Sequence, residues 1–197
     1  ASVLDELGVT RPEGRTRSPE PPGLLEREVE MHAFDALLRR LRERRPGPRC
    51  LWLRGESGAG KTRLFCEMKW RAELEVQVVD TDTLGDTPIR GLIERASGES
   101  VSDELAALLA CEARLAQADP PTLLVLDDAQ FLAEARWAEL AALIRSLDPA
   151  GSLAVLVASD ASLDPPPDCV VHRLAPLTKA ALGLWCGSLV PETRLEP

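Results

Sequence analysis

The sequence predicts an α/β fold in which a central, mostly parallel sheet of five strands lies between layers of helices. Five short apolar runs alternate along the chain with segments of helical periodicity. The runs are mainly apolar and do not alternate strictly with polar residues, which is typical of parallel strands that are covered on both faces. The five runs are CLWLR at 50–54, VQVVD at 76–80, TLLVLD at 122–127, LAVLVA at 153–158 and CVVHRL at 169–174.

The composition, the net charge and the cysteine pattern argue against several classes of protein and of site. Hydrophobic residues make up 45% and charged residues 28% of the 197 positions, which are ordinary proportions for a globular domain. The net charge of −9 argues against a surface built mainly to hold nucleic acid, so we expect no direct nucleic-acid binding by this fragment. The five cysteines form no CxxC pair and indicate neither a zinc site nor a disulfide framework. No apolar run approaches the ~20 residues that cross a bilayer, so we expect a cytoplasmic protein without membrane contact.

Prolines mark the first boundary along the chain. Pro19, Pro21 and Pro22 prevent a continuous helix, so residues 1–22 are expected to form a linker or the tail of a preceding domain. A single domain is then expected over residues 23–190, and residues 191–197 would begin a following segment.

The helices follow from apolar spacing. Residues 26–45 predict an amphipathic helix that ends at Pro46, and its basic run at 39–45 is interpreted as a solvated helix end. The residues expected on its packed face are Val29, Phe34, Leu37, Leu38 and Leu41. Further helices are predicted at 61–74, 102–118, 133–147 and 178–189, with a short one at 89–96.

Residues 55–62 spell GESGAGKT and match the phosphate-binding pattern G-x-x-x-x-G-K-[ST]. The string follows one predicted strand directly and begins a helix, which is the context that a P-loop requires. Its backbone N–H groups would surround phosphate oxygens, Lys61 would reach the β- and γ-phosphates, and the Thr62 hydroxyl would bind Mg²⁺. The predicted nucleotide contacts are therefore Gly55, Glu56, Ser57, Gly58, Ala59, Gly60, Lys61, Thr62 and Arg63, with Lys61 also catalytic.

Acidic residues follow another strand, LLVLDDAQ at 123–130. Asp127 is predicted to hold Mg²⁺, and Asp128 to orient or deprotonate an attacking water, because ligands of α/β sheets bind at the carboxyl ends of strands. The pair could instead cap the helix that follows. Ser159, at the end of the run 153–158, is a candidate γ-phosphate contact, with a plain strand-end turn as the alternative.

Together these segments resemble the STAND and AAA-like signalling ATPases of large bacterial multidomain regulators, including ATP-binding LuxR-type activators. The resemblance rests on GLLEREVEM at 23–31, GESGAGKTRL, LLVLDDAQF and RLAPLTKAAL at 173–182. It implies a P-loop NTPase fold of the additional-strand type, in which the strand at 153–158 lies between the phosphate and acidic strands. It also implies ATP with Mg²⁺, Arg27 near the adenine, and other domains of the same polypeptide or other proteins as partners. Family members often carry Ser/Thr-Arg where this chain has Ser159-Asp160, which implies slow hydrolysis.

Three functions are compatible with these motifs. The first is an ATP-dependent switch module in an intracellular signalling or transcription-regulating protein. The second is an interaction scaffold that binds nucleotide without hydrolysing it. The third, a small-molecule kinase, also needs an acceptor pocket and an arginine-rich lid, and the Asp127-Asp128 pair argues against it.

Overall fold

The structure, a computed structural model, describes residues 24–80 and 119–189. The helices predicted at 89–96 and 102–118 lie outside these residues, and so do the segments expected at 1–22 and 191–197. Residues Glu26–Leu177 form one compact unit, and the helix at Lys179–Leu189 belongs to a second unit that is described by itself. The domain boundaries expected from the sequence stay a prediction.

The sheet has five strands, and all of its pairings are parallel. The strands are β1 (Cys50–Gly55), β2 (Gln77–Asp80), β3 (Thr122–Leu126), β4 (Leu153–Ser159) and β5 (Cys169–Leu174). Their order is β2-β3-β4-β1-β5, so β4 lies between β1 and β3. The α/β fold with five strands, and the place of the strand at 153–158, are therefore confirmed.

The described helices lie close to the predicted ranges. They are α1 (Glu28–Arg42), α2 (Lys61–Glu73), α3 (Glu134–Ser146) and α4 (Lys179–Leu189), and a short 3₁₀ turn covers Ala129–Phe131. Acidic residues in the first turn of α1 and basic residues in its last turn match the helix dipole. No helix in the described ranges is long and apolar enough to cross a membrane.

Helix α1 buries Met31, Phe34, Leu37, Leu38 and Leu41. The prediction that Val29 shares this face is wrong, because 68% of Val29 is exposed. At 3.6 residues per turn, a position five residues before Phe34 lies about 140° around the helix axis from it. Met31, three residues before Phe34, takes the packed position instead.

The two faces of the sheet are covered by different helices. Residues of α3 pack with Trp52 and Val155 on one face, where the rings of Trp52 and Trp137 meet edge to face with centroids 5.5 Å apart. Helices α1 and α2 contact β1 and β4. Leu51 and Leu53 alternate with Trp52 along β1 and are also buried. Because β1, β4 and β3 are parallel neighbours, their carboxyl ends lie at the same edge of the sheet. The candidate site lies at this edge.

Candidate nucleotide-binding site

The predicted P-loop connects the end of β1 at Gly55 to the start of α2 at Lys61. Gly58 and Gly60 have φ angles of 82° and 84°, in the left-handed region that only glycine adopts without strain. Among the residues that the structure describes, and apart from each glycine's own chain neighbours, no atom lies within 4 Å of a Cβ built at either position. Six of the predicted contact residues are exposed, and they are Glu56, Ser57, Gly58, Gly60, Thr62 and Arg63.

The first glycine of the motif has a different role, because it allows close packing. A Cβ at Gly55 would lie 2.9 Å from the Leu174 carbonyl oxygen and 3.2 Å from the Leu174 Cβ. Gly55 pairs with Leu174 in the β1–β5 register. Gly55 therefore lets β1 reach its end against β5 before the chain turns into the loop.

Lys61 is buried at the base of the loop, with 8% of its surface exposed. Its Nζ atom donates to the carbonyl oxygens of Gly55, at 2.8 Å, and Glu56, at 3.0 Å. No carboxylate in the part of the chain that the structure describes forms an ion pair with this ammonium. An ammonium has three N–H donors, so one remains for an anionic ligand. This buried positive charge, next to an open glycine loop at a helix N-terminus, fits a phosphate group.

Arg27 is a buried side chain that contacts the main chain of the P-loop. Its guanidinium, in a residue that is 6% exposed, donates to the carbonyl oxygens of Glu26 at 2.7 Å, Ala59 at 2.9 Å and Ala175 at 2.8 Å. It thereby ties the P-loop both to the entrance of α1 and to the segment after β5. A contact of Arg27 with adenine, which the family resemblance implies, stays a prediction.

Asp127 and Asp128 directly follow β3 at the carboxyl edge of the sheet. Asp127 is half-buried, and its Oδ1 accepts a hydrogen bond from the Asp128 N–H at 2.9 Å. Asp128 is exposed and has a left-handed φ of 54°. Its side chain makes no capping bond to the 3₁₀ turn that it precedes, so the alternative that it caps a helix finds no support in this geometry.

Ser159 lies at the end of β4 but is completely buried. Its Oγ accepts a hydrogen bond from the Trp52 Nε1–H at 2.8 Å and donates to the Asp160 carbonyl oxygen at 3.0 Å. A hydroxyl has a single proton to donate. A contact between Ser159 and a γ-phosphate stays a prediction, and it requires the bond to Asp160 to break.

Asp160 brings a negative charge near Lys61. Hydrogen bonds from the Ser162 hydroxyl and from its main-chain N–H, at 2.8 Å, lower the pKa of the Asp160 carboxyl. The positive charges of Lys61 and Arg54 lower this pKa further. The sequence marked Asp160 only as the place of a missing arginine, and only the fold brings its charge towards Lys61.

Gln130 was missed by the sequence analysis. Its Nε2 donates to Asp128 Oδ1 at 2.9 Å, and its Oε1 accepts from the Asp160 N–H at 3.1 Å. No sequence signal would have found it, since one neutral amide after an acidic pair belongs to no recognised ligand pattern.

A cavity of about 340 Å³ opens beside the loop. Arg54, Glu56 and Arg173 line it together with apolar and main-chain groups. Arg54 is held by an ion pair with Asp164 at 3.0 Å and by a hydrogen bond to the Ala161 carbonyl oxygen. Two arginines and one glutamate line the cavity, and the ion pair with Asp164 offsets the charge of Arg54.

The residues present fit a shared magnesium site. Thr62 is exposed in the first turn of α2, and Asp127 follows β3, so a hydroxyl and a carboxylate oxygen come from two elements. No group of three or more His, Cys, Asp or Glu side chains in the described ranges forms a metal cage. Mg²⁺ in nucleotide sites is commonly held by one or two protein oxygens together with phosphates and waters, which agrees with this donor set.

A comparison with models of protein families identifies the family of this chain. The model of the AAA ATPase domain matches residues 23–157, which is well over half of the chain. The chain belongs to this family. The match contains both the P-loop and the Asp127-Asp128 pair, so a nucleotide-binding module is the general function of this AAA ATPase domain. A search of curated protein sequences finds no match.

Solved structures share the fold at low sequence identity. Cdc6p from Pyrobaculum aerophilum aligns with a TM-score of 0.61 and 23% identity, over 86% of this chain and 51% of that one. A Drosophila ORC structure bound to DNA aligns with a TM-score of 0.60 and 20% identity, over 83% and 46%. The Aeropyrum pernix ORC2 protein, in ADPNP-ADP complexes, aligns with a TM-score of 0.56 and 18% identity, over 86% and 53%. This similarity shows the fold alone. The present chain spans about half the length of these three proteins.

Proposed function

We propose that this AAA ATPase domain is an ATP-binding, slowly hydrolysing switch module of a larger intracellular signalling or transcription-regulating protein, of the STAND type that its motifs resemble. The observation that carries the proposal is the strand order. Because β4 alone separates β1 from β3, the P-loop and Asp127-Asp128 leave the same edge of the sheet within one strand of each other. A triphosphate on the loop would therefore lie beside both carboxylates.

The P-loop side of the site binds the triphosphate. Lys61 would exchange contacts with loop carbonyls for contacts with the β- and γ-phosphates, and the N–H groups at the start of α2 would add positive potential. Thr62 and Asp127 would hold Mg²⁺, and this ion would neutralise part of the negative charge of the phosphates. The choice of ATP rests on the family and on the ADPNP-ADP complexes of the Aeropyrum pernix relative.

In this proposal, Asp128 at the end of β3 would catalyse hydrolysis. Asp128 is exposed, so its carboxylate can accept the proton of a water that attacks the γ-phosphate. The sequence after Ser159 supports a slow rate, because Asp160 stands where an arginine would stabilise the negative charge that builds up on the transferred phosphoryl group. A low turnover suits a switch, in which each nucleotide state must last long enough for attached domains to respond.

Nucleotide binding and hydrolysis are tested separately. Titration calorimetry with ATP and Mg²⁺ measures the Kd, and a phosphate-release assay measures kcat, for the wild type, Lys61→Ala and Asp128→Asn. We expect Lys61→Ala to raise the Kd at least tenfold, since it removes a buried charge-assisted contact with phosphate. We expect Asp128→Asn to keep the Kd and to lower kcat by about 10²- to 10⁴-fold, which is the usual contribution of a general base.

Two exposed residues outside the site supply matched controls. Arg39→Ala removes an exposed basic residue in the last turn of α1, and Asp168→Asn neutralises an exposed aspartate just before β5, so both should keep wild-type Kd and kcat. Phosphate release that is equal in all variants would show a contaminating activity and would refute hydrolysis by this chain. Tight ATP binding without any release would favour the non-hydrolysing scaffold. The absence of ATP binding in the presence of Mg²⁺ would refute the proposal entirely.

A further inference from the structure

The Gln130 side chain contacts both Asp128, two residues before it, and Asp160, 30 residues after it, and so connects two parts of the site. Its amide nitrogen donates to the Asp128 carboxylate at 2.9 Å, and its amide oxygen accepts from the Asp160 main-chain N–H at 3.1 Å. The first contact reaches the acidic end of β3, and the second reaches the residue that follows β4. Gln130 therefore bridges the ends of β3 and β4, two neighbouring strands on the same side of the P-loop strand β1.

The two partners determine which way the amide faces. A carboxylate oxygen only accepts hydrogen bonds, and a main-chain N–H only donates, so a flipped amide would lose both contacts. The turn that carries Gln130 is fixed as well. Ala129 is 1% exposed and belongs to the core, and the Phe131 N–H donates to the Asp128 carbonyl oxygen at 3.0 Å. The bridge is thus held in place by packing below it and by directional bonds at both ends.

These contacts extend an ordered chain of hydrogen bonds. Trp52 in β1 donates to Ser159, whose hydroxyl donates to the Asp160 carbonyl oxygen, and the Asp160 N–H donates to Gln130. Gln130 then donates to Asp128. Trp52 stands three residues before Gly55, so this chain links the strand that carries the P-loop to the proposed base.

We propose that Gln130 is a positioning residue that orients the Asp128 carboxylate towards the attacking water and ties it to the end of β4. The inference rests on the proposed function, since it assigns a role within hydrolysis. Asp128 is exposed, so in the absence of this contact its carboxylate would sample several orientations in water. Catalytic groups lose up to about 10²-fold in rate when they are displaced by about 1 Å. Gln130 acts through Asp128 and does not touch the nucleotide.

Substitutions at Gln130 separate its two bonds. Gln130→Ala removes both, and we expect kcat for phosphate release to fall about 10- to 100-fold while the Kd for ATP stays within twofold of wild type. Gln130→Glu keeps an acceptor for the Asp160 N–H but places a carboxylate against Asp128, so we expect at least as large a loss of kcat. Gln77→Ala is the matched control, because Gln77 is an exposed glutamine at the start of β2, and it should keep wild-type kcat.

A double-mutant cycle distinguishes positioning from a general structural effect. If Gln130 works through Asp128, then adding Gln130→Ala to Asp128→Asn should lower the residual rate no further, whereas an independent role would multiply the two losses. A further loss in the double mutant would overturn the inference, and so would an unchanged kcat in Gln130→Ala. A change in ATP Kd that accounts for the whole effect would also overturn it.

The failure of this inference is distinguishable from failure of the proposed function. A wild-type chain that hydrolyses ATP with no response to Gln130→Ala refutes the positioning role and leaves the proposed function intact. A wild-type chain that binds ATP and releases no phosphate refutes both hydrolysis and the positioning role. Thermal unfolding of each variant, expected within about 3 °C of wild type because the lost bonds are partly solvated, shows that the rates are compared between folded proteins.

Discussion

Replacing Arg27 by alanine tests whether the P-loop is held in shape by the entrance of α1. The Arg27 guanidinium donates to three main-chain carbonyl oxygens, those of Glu26, Ala59 and Ala175. Glu26 and Ala175 are exposed, so water can replace the lost donor at both positions. Ala59 is 2% exposed, and its carbonyl would lose a buried partner in the middle of the loop.

The expected destabilisation follows from these different surroundings. A hydrogen bond to a charged group contributes about 1.5–3 kcal/mol net, and the buried bond to Ala59 should contribute most of the effect. Loss of the packed alkyl part of Arg27 adds about 1 kcal/mol. We therefore expect Arg27→Ala to lower the free energy of unfolding by about 2.5–4 kcal/mol. For a domain of this size, that change corresponds to a fall in Tm of roughly 10 °C.

Circular dichroism melts of Arg27→Ala, Arg27→Lys and the wild type measure this change. Arg27→Lys keeps the charge but replaces the planar fork by a single ammonium, so its Tm should fall by an intermediate amount. Arg39→Ala removes an exposed arginine of α1 and should leave the Tm nearly unchanged. A loosened loop should also raise the Kd for ATP about tenfold in Arg27→Ala. If the Tm and the Kd of Arg27→Ala both match those of Arg39→Ala, Arg27 does not hold the loop.

Two further predictions concern packing and thiol chemistry. Gly55→Ala should lower the free energy of unfolding by about 2–3 kcal/mol, because the new Cβ would meet the Leu174 carbonyl 2.9 Å away. Gly58→Ala should cost only about 1 kcal/mol from its left-handed backbone, so an equal or smaller loss for Gly55→Ala in urea unfolding would contradict the packing argument. Burial raises the pKa of the Cys50 thiol, so very little thiolate forms near neutral pH, and iodoacetamide at pH 7.5 should label exposed Cys186 long before Cys50. Peptide mass mapping checks the order, and labelling of Cys50 in the folded chain at the rate of Cys186 would refute it.

The strands and the P-loop could be predicted because their signals are local. The residues at 153–158 and 123–126 are apolar throughout, and the strands that contain them, β4 and β3, are fully buried. Glycines at 58 and 60 mark the left-handed turns of the loop, which a short pattern is able to encode. Val29 was misplaced because a single apolar residue near the start of a helix can belong to either face, and packing decides which.

The contacts around the site could not be predicted in the same way. Arg27 bonds to residues 32 and 148 positions away, and Ser159 bonds to a residue 107 positions away. Such partners meet only when the sheet assembles. The buried position of the Ser159 hydroxyl also follows from the packing of Trp52, because any polar residue at a strand end can face inward or outward.

The class of fold could be read from five short runs along the chain, and the P-loop and the acidic pair after β3 are each encoded within a few consecutive residues. The contacts that hold these parts together depend on the folded chain. It directs Arg27 onto the loop backbone, brings the Asp160 charge towards Lys61, and connects Asp128 through Gln130 to the end of β4. The physical reason is that hydrogen bonds and charges act over a few ångströms of space, whereas sequence patterns record only neighbours along the chain.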